Sequence, residues 1–354
     1  MSSQLKAYGF INAKIRSRLG RLLSEDTLNN LLKCGTIEEV ITSLKATVYA
    51  SYLDLYASTG DIRAVEFALY AHEIETVFNI LKYMTGSSAD FVQALILRYE
   101  VDMVKNALRI WFDINIRKHQ SGDSNIYLYH EKLINPVNLD GIINARSSGD
   151  LLEAFENTPY LETVRRNLEI INAGKQMFAL ELELDGLYYE NLSGKMKNLV
   201  PMDRRIAERI ISVEVDLQNI DRIVRFVSFY DSNTRSLYEA FLTGGTISES
   251  VLREAYKQTE AEEAMRILLS GSYTKYRGFA GEHHSSPYVR LNLVEGLLRQ
   301  IQVDEAGGLL HGYPFTIGTV IAYVFLKRKE IRMLIKIINA KFYRMTEDKI
   351  RETL

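Results

Sequence analysis

Three acidic side chains recur at equal spacing along the chain. Asp102 ends the Glu-Val-Asp of RYEVDMVKNALRIWF, Asp216 ends that of SVEVDLQNIDRIVRF, and Glu330 lies in LKRKEIRMLIKIINA; the two successive separations are both 114 residues. If the three carboxylates converge, they can bind basic side chains of an inserted partner. If they lie apart on helix surfaces, they are solvated acids of little energetic weight. The sequence leaves both interpretations open.

Nucleotide chemistry is not indicated. A phosphate loop needs Gly-x4-Gly-Lys-Ser/Thr, so that backbone amides surround the phosphates. Gly-Lys occurs at 174–175 and 194–195, but neither pair has a glycine five residues before it or a Ser or Thr after it. We therefore expect a chain that neither hydrolyses ATP itself nor holds a cofactor.

Two other candidates for chemistry are weak. His283 and His284 lie in a Gly/Ser loop with Glu282, but adjacent imidazoles point in different directions and no third His or Cys is near. An exposed polar loop is favoured over a metal site. Cys34 precedes Gly35 at a predicted helix end, where a buried or incidental thiol is favoured over a nucleophile.

The elements that must position these residues are helices. Of 354 residues, 47% are apolar and 25% charged, and only five are proline, none of them in the first 135. Ile331, Leu334, Ile335 and Ile338 follow the i, i+3, i+4, i+7 spacing of one helix face. Alternating strand patterns are hard to find. The sequence predicts an all-α protein.

A second set of landmarks supports an internal repeat. Tyr49, Tyr160 and Tyr273 each follow a Thr or Ser and an acidic helical segment, at spacings of 111 and 113 residues. Chance similarity among amphipathic helices is the alternative. We predict three similar helical domains with pseudo-threefold symmetry, at 1–120, 121–240 and 241–354.

Membrane insertion is not indicated. The longest apolar candidate, 315–326, has 12 residues, whereas a spanning helix needs about 18. The first 20 residues lack the apolar core of a secretion signal. One cysteine cannot form an internal disulfide, which favours a reducing compartment.

Basic residues follow the apolar run near the C-terminus. A solvated helix face, a docking surface for a partner and attraction to anionic lipid headgroups are all compatible with this pattern. Nucleic acid is least favoured, because the net charge is −2 and few aromatic residues interleave. Arg16 and Arg18 near the N-terminus carry the same ambiguity. The C-terminal set comprises Lys327, Arg328, Lys329, Arg332, Lys336, Lys341 and Arg344.

These segments resemble a known family. The N-terminal AYGFINAKIRSRLGRLLSEDTLNNLLK, the central YEVDMVKNALR and above all the C-terminal PFTIGTVIAYVFLKRKEIRMLIKIINAKFYRMTEDKIRETL resemble the C-type subunits of V/A-type ATPases and ATP synthases, which are the counterparts of the d-type subunits of eukaryotic vacuolar enzymes. In the central segment Lys105 and Asn106 stand in swapped order relative to the family pattern. The C-terminal segment is the most specific of the three.

The resemblance implies both a shape and a role. It implies three helical domains forming a funnel or socket, without chemistry of its own, on the cytoplasmic face of the membrane. The partners would be the proteolipid ring and the central shaft subunits of D and F type. The residues predicted to contact partners are Arg16, Arg18, Asp102, Asp216, Lys329, Glu330, Arg332 and Lys336.

Two other functions remain open from sequence alone. A helical-repeat scaffold would bind soluble protein partners only and would lack a threefold relation. An enzyme with an unrecognised site would hold convergent titratable groups in a deep pocket.

Overall fold

The chain folds into helices, as the composition predicts. The computed structural model describes residues 3–118, 129, 131–174, 177–230, 240–280 and 287–353. Within these ranges there are sixteen α-helices, one 3-10 helix and no strand. The α-helices are α1 (Ser3–Leu19), α2 (Glu25–Lys33), α3 (Ile37–Leu44), α4 (Ala50–Thr59), α5 (Ile62–Leu81), α6 (Gly86–Asn115), α7 (Leu139–Asn144), α8 (Ser148–Glu153), α9 (Leu161–Gly174), α10 (Phe178–Met196), α11 (Pro201–Phe229), α12 (Glu249–Tyr256), α13 (Ala261–Leu268), α14 (Pro287–His311), α15 (Ile317–Phe342) and α16 (Glu347–Thr353). The 3-10 helix is Thr274–Ala280.

Local signals set the ends of several short helices. The Ser24 hydroxyl accepts the Thr27 N–H at the start of α2, and Thr36 does the same for Glu39 at the start of α3. Ser147 forms a capping box at α8. Each cap satisfies a backbone donor that has no partner within its helix.

The described structure forms two compact units. The first contains residues 1–69 and 200–354, and the second contains 70–199. The first unit is therefore built from both ends of the sequence. The predicted symmetric division at 120 and 240 stays a prediction.

Helix α15 holds the ends of the sequence together. Its second half contributes Ile331, Leu334 and Ile338 to a hydrophobic core that also contains Leu31 of α2 and Leu44 of α3. All five side chains are at most 1% exposed. The spacing of Ile331, Leu334, Ile335 and Ile338 predicted a helix with one apolar face. The helix is confirmed, but its apolar stripe is covered by N-terminal helices.

Among the described helices, none combines the length and the hydropathy needed to cross a bilayer.

Candidate partner-binding site

The first cluster of polar residues in the core surrounds Glu330 on α15. Tyr49, between α3 and α4, donates its hydroxyl hydrogen to Glu330 Oε2, and the Leu23 N–H donates to Oε1 at 2.6 Å. Lys327 Nζ lies 3.1 Å from Glu330 Oε2 and 2.6 Å from the Tyr49 oxygen. Tyr49, Lys327 and Glu330 are all buried. The carboxylate thus fixes both ends of the segment that contains α2 and α3.

The second cluster surrounds Glu100 on α6. Tyr160, just before α9, donates to Glu100 Oε1 at 2.7 Å. The N–H groups of Ile134 and Asn135, before α7, donate to Oε2 at 2.5 and 2.9 Å. Burial, reinforced by the charge of Glu100, raises the pKa of Tyr160. The tyrosine therefore stays protonated and keeps donating.

The third cluster surrounds Asp216 on α11. Tyr273, after α13, donates to Asp216 Oδ2 at 2.8 Å, and the N–H groups of Thr246 and Ile247 donate at 2.9 and 3.0 Å. Burial and the Asp216 charge raise the pKa of Tyr273. A Cβ at Gly245 would lie 2.1 Å from Asp216 Oδ1, so only glycine permits this close approach.

These three clusters share one plan, and we call them the tyrosine–carboxylate sites. In each, a long helix presents a buried carboxylate to the backbone before a pair of short helices and to a tyrosine after that pair. For the second and third sites the long helix precedes the pair in sequence. For the first site the long helix is α15, near the C-terminus. The first site therefore joins an N-terminal segment of the sequence to a C-terminal helix.

The similar spacings of the tyrosines, 111 and 113 residues, identified their three positions from sequence, but the sequence did not show which acid each tyrosine binds. Aligning the two Glu-Val-Asp triplets pairs Asp102 with Asp216, whereas the structure uses Glu100 in the first triplet and Asp216 in the second. Asp102 is half-buried and pairs with Arg98 at 3.1 Å. Since both triplets contain Glu and Asp, only burial distinguishes the two acids.

The three acids singled out from sequence therefore differ in their surroundings. Asp216 and Glu330 are 0% and 5% exposed. Both accept hydrogen bonds from their own chain, so neither is a solvated surface acid. A role of Asp102, Asp216 and Glu330 in partner contact stays a prediction. Because Asp216 and Glu330 are buried, they would act on a partner only by positioning the loops around them.

The C-terminal basic residues divide by burial. Lys327 and Lys341 are buried, and Lys341 Nζ donates to the Leu32 carbonyl at 2.7 Å. For these two the expectation of an exposed face is wrong, because Lys327 binds Tyr49 and Glu330, and Lys341 binds the Leu32 carbonyl of α2. Lys336 pairs with Glu295 at 3.1 Å. Arg332 is exposed and Lys329 is half-buried.

The N-terminal arginines lie on α1. Arg16 is exposed and donates to the Leu310 carbonyl at 3.1 Å. Arg18 is half-buried. Burial raises the pKa of Tyr323 to about 12, and the nearby charge of Arg18 opposes that rise. Both arginines thus lie close to α14 or α15, and their contact with partners stays a prediction.

The candidates for chemistry do not assemble into a site in the described residues. Cys34 is half-buried, with its Sγ 3.5 Å from the Asn30 carbonyl. Gly194 and Lys195 lie within α10. Across the part of the chain that the structure describes, no group of three His, Cys, Asp or Glu is placed to hold a metal. Glu282, His283, His284 and Lys175 lie outside the described residues.

Comparison with known proteins covers nearly the full length of the chain. A family model described as ATP synthase (C/AC39) subunit matches residues 11–353. The chain is 23% identical over 339 residues to the C-type subunit of the A-type ATP synthase of Methanosphaera stadtmanae, covering 94% of this chain and 84% of that protein. For the protein of the same name from Pyrococcus furiosus the identity is 24% over 347 residues, with 98% and 89% covered. For that from Methanocaldococcus jannaschii it is 21% over 355 residues, with 100% and 88% covered.

Proposed function

Because the chain belongs to the ATP synthase (C/AC39) subunit family, we propose that it is the non-catalytic central-stalk rotor subunit of a V/A-type ATPase or ATP synthase. In this role it couples the shaft to the proteolipid ring of the membrane during ATP-linked ion transport. The observation that carries the proposal is the family match from residue 11 to residue 353. The match extends over most of both segments of the first unit, 1–69 and 200–354.

The proposed location is the cytoplasmic face of the membrane. One part of the protein rests on the proteolipid ring, and another receives shaft subunits of D and F type. A ring of many identical small subunits and a single shaft have different symmetries, so an adaptor must join them. The adaptor needs no chemistry of its own, because the catalytic subunits are other chains.

Torque transmission suits the way this chain is held together. A subunit that transmits torque needs partner contacts that dissociate more slowly than the rotor turns. It also needs a rigid structure between the surfaces that contact its partners. The tyrosine–carboxylate sites tie loops to long helices by several hydrogen bonds each, in buried surroundings where such bonds are strong. We assign Asp216 and Glu330 to this positioning role.

Partner contact is assigned to the residues of the predicted set whose side chains reach the surface. Charged rim residues set the rate and the selectivity of association more than the affinity. These residues are Arg16, Arg18, Asp102, Lys329, Arg332 and Lys336.

Affinity purification from native membranes tests the proposal. The tagged chain is extracted in mild detergent, and the co-purifying proteins are identified by mass spectrometry. We expect proteolipid and shaft subunits. Recovery of soluble proteins alone would replace the coupler by a scaffold.

A charge-reversal variant then tests the surface assignment. Arg332→Glu should retain the helical circular dichroism signal but reduce the recovery of shaft or ring subunits. Arg165→Glu, an exposed arginine of α9, is the matched control. Equal recovery with both variants would remove Arg332 from the contact surface.

A further inference from the structure

One surface strip of the first unit carries cations in excess of their partners. Helices α11, α14 and α15 meet at Glu295 of α14, which binds Arg225 of α11 at 3.4 Å and Lys336 of α15 at 3.1 Å. Arg225 is also held by Asp221 at 2.9 Å. At this level of the strip the charges are matched.

One turn further along α14, the cationic side chains have no carboxylate bound between them in the described structure. Arg299 follows Glu295 by four residues, and on α15 Arg332 and Lys329 precede Lys336 by four and seven, so all three lie on the same strip. The charge of Arg332 acts on Arg299, and that of Arg299 acts on Lys329. We call Arg299, Lys329 and Arg332 the cationic triad.

In the part of the chain that the structure describes, no carboxylate forms an ion pair with any member of the triad, although the charge of Glu295 acts on Arg299 at longer range. Arg299 Nη2 is buried and has no hydrogen-bond partner, while its Nε reaches only the Glu295 carbonyl at 3.3 Å. Within the described ranges no ion pair engages Lys329 or Arg332, and Glu25 acts on Lys329 only through its charge at longer range. Burial is the main cause that lowers the pKa of both Arg299 and Lys329; the charges of Glu295 and Glu25, respectively, oppose this, and the neighbouring cations Arg332 and Arg299 add to it.

Such an arrangement is unfavourable in the free chain. A buried donor without an acceptor loses the hydrogen bonds that water supplied, and like charges in contact add repulsion. An anion seated among the three cations relieves both costs. In native proteins a buried polar group without a partner is rare and needs a specific explanation, such as a functional role or an ion bound there.

The surroundings favour a carboxylate over a phosphate. The triad lies in the middle of two helices, whose backbone N–H groups are occupied, so it lacks the free amides that phosphate sites use. Only side-chain donors are present, and the arginine fork matches a carboxylate. Glu295, one turn away, already shows how this strip holds a carboxylate between α14 and α15.

We propose that Arg299, Lys329 and Arg332 bind the carboxylates of an acidic segment of a protein partner. The partner's Asp or Glu takes the position that corresponds to Glu295 one turn along the strip. Arg299 Nη2 is covered in the free chain, so neighbouring side chains rotate as the carboxylate enters. This proposal rests on the proposed function only in naming another rotor protein as the source of the segment.

Peptide binding to the isolated full chain tests the chemistry without the rotor. Fluorescent hexaglutamate and hexaglutamine are titrated at low ionic strength, where surface charge pairs are least screened. We expect binding of hexaglutamate only, weakened about tenfold or more in Arg299→Gln/Arg332→Gln. The control, Arg165→Gln/Arg253→Gln, removes the same charge from exposed arginines elsewhere. Equal weakening by both variants would overturn the site.

The stability of the variants provides a second readout. If the triad serves binding, Arg332→Gln removes repulsion and leaves the thermal midpoint unchanged or raised. A marked fall would show that Arg332 has a structural partner and would overturn the proposal. Binding to phosphatidylserine vesicles without binding to hexaglutamate would instead assign the triad to lipid.

Zero-length crosslinking of the native complex identifies the partner. A carbodiimide activates a carboxylate, and the Lys329 amine then displaces the urea leaving group to form an amide. Because its lowered pKa leaves more free amine, Lys329 is well suited to this reaction. A link from Lys329 to an Asp or Glu of another protein of the complex supports the proposal. A link to Glu25 alone, in a complex that has been recovered intact, overturns it, whereas failure to recover the complex bears on the proposed function.

Discussion

Hydrogen bonding around the three buried carboxylates is redundant, and this determines how each residue responds to substitution. Asp216 accepts from Tyr273 and from two backbone N–H groups, so no single donor is indispensable. The tyrosine contributes one bond to a charged acceptor in a buried site. Bonds of this kind contribute more than neutral surface bonds.

Removing one tyrosine hydroxyl measures that contribution. Tyr273→Phe keeps the ring packed but removes the donor to Asp216, so we expect the free energy of unfolding to fall by about 1–3 kcal/mol. Urea unfolding, monitored by circular dichroism, provides the measurement. Tyr343→Phe, at a ring that is 70% exposed, should change it by less than about 0.5 kcal/mol. Equal midpoints for the two variants would refute the role of the Tyr273 bond.

A second residue-scale prediction concerns pH. The Tyr276 hydroxyl and the Lys275 ammonium hold the pKa of Asp304 down at about 2, against about 3.9 for an unperturbed aspartate. The ionised form is therefore favoured by folding, so its stabilisation is complete above about pH 4 and is lost as the pH falls towards 2. The side chain is 33% exposed, which limits the effect to about 1 kcal/mol.

Thermal unfolding of the wild type and of Asp304→Asn over this pH range is the measurement. We expect the difference between their midpoints to be largest near neutral pH and to shrink below about pH 4. A difference that does not change with pH would show that the carboxylate charge contributes nothing.

At the scale of elements, α15 performs two tasks with different parts of its surface. Its buried stripe completes the core of α2 and α3, and its cationic side faces α14. The i, i+3, i+4 spacing predicted the buried stripe because a helix repeats every 3.6 residues. The spacing could not identify the helices that cover the stripe, because apolar periodicity indicates which face of a helix is buried but not which elements pack against it.

The same limit explains which residues of the candidate site were missed. The spacing of Tyr49, Tyr160 and Tyr273 was visible because it repeats along the sequence. Glu100 was missed because Asp102, two positions on, fits the same alignment. Arg299 was missed because an unpaired guanidinium is a property of its neighbours in space, and nothing in the surrounding RLNLVEGLLRQIQ distinguishes it.

A core substitution in α15 should therefore act far away in sequence. Leu334→Ala leaves a cavity in a fully buried site, and we expect a loss of about 2–5 kcal/mol in unfolding free energy. Hydrogen exchange should quicken in α2 and α3 as well as in α15 itself. Arg332→Ala, two residues away and exposed, is the control. Faster exchange confined to α15 would contradict the shared core.

At the scale of the whole molecule, the tyrosine–carboxylate sites respect the division into two units. Glu100, Tyr160 and their backbone donors all lie within 70–199. The sites of Asp216 and Glu330 lie within the other unit, so each unit is tied by its own buried bonds. Composition and periodicity predicted the helical class, but not this division, which depends on the contact of two distant segments.

Hydrogen exchange can show whether the units open separately. Tyr160→Phe removes a bond from the second unit only, so we expect faster exchange in α6–α10 with little change in α2, α3 and α15. Tyr273→Phe should give the opposite distribution, in which α11–α13 lose protection. If either variant accelerates exchange evenly along the chain, the units unfold as one.

The closure of α2 and α3 on α15 has a consequence for biosynthesis. A ribosome makes the N-terminal helices first, but Leu31, Val40 and Leu44 have no complete core until residues 331–338 have been made. A chain that stops early displays this apolar surface, which proteases and chaperones recognise. Completion of this core therefore depends on synthesis having reached residues 331–338, and chains that stop before them expose the surface that leads to degradation.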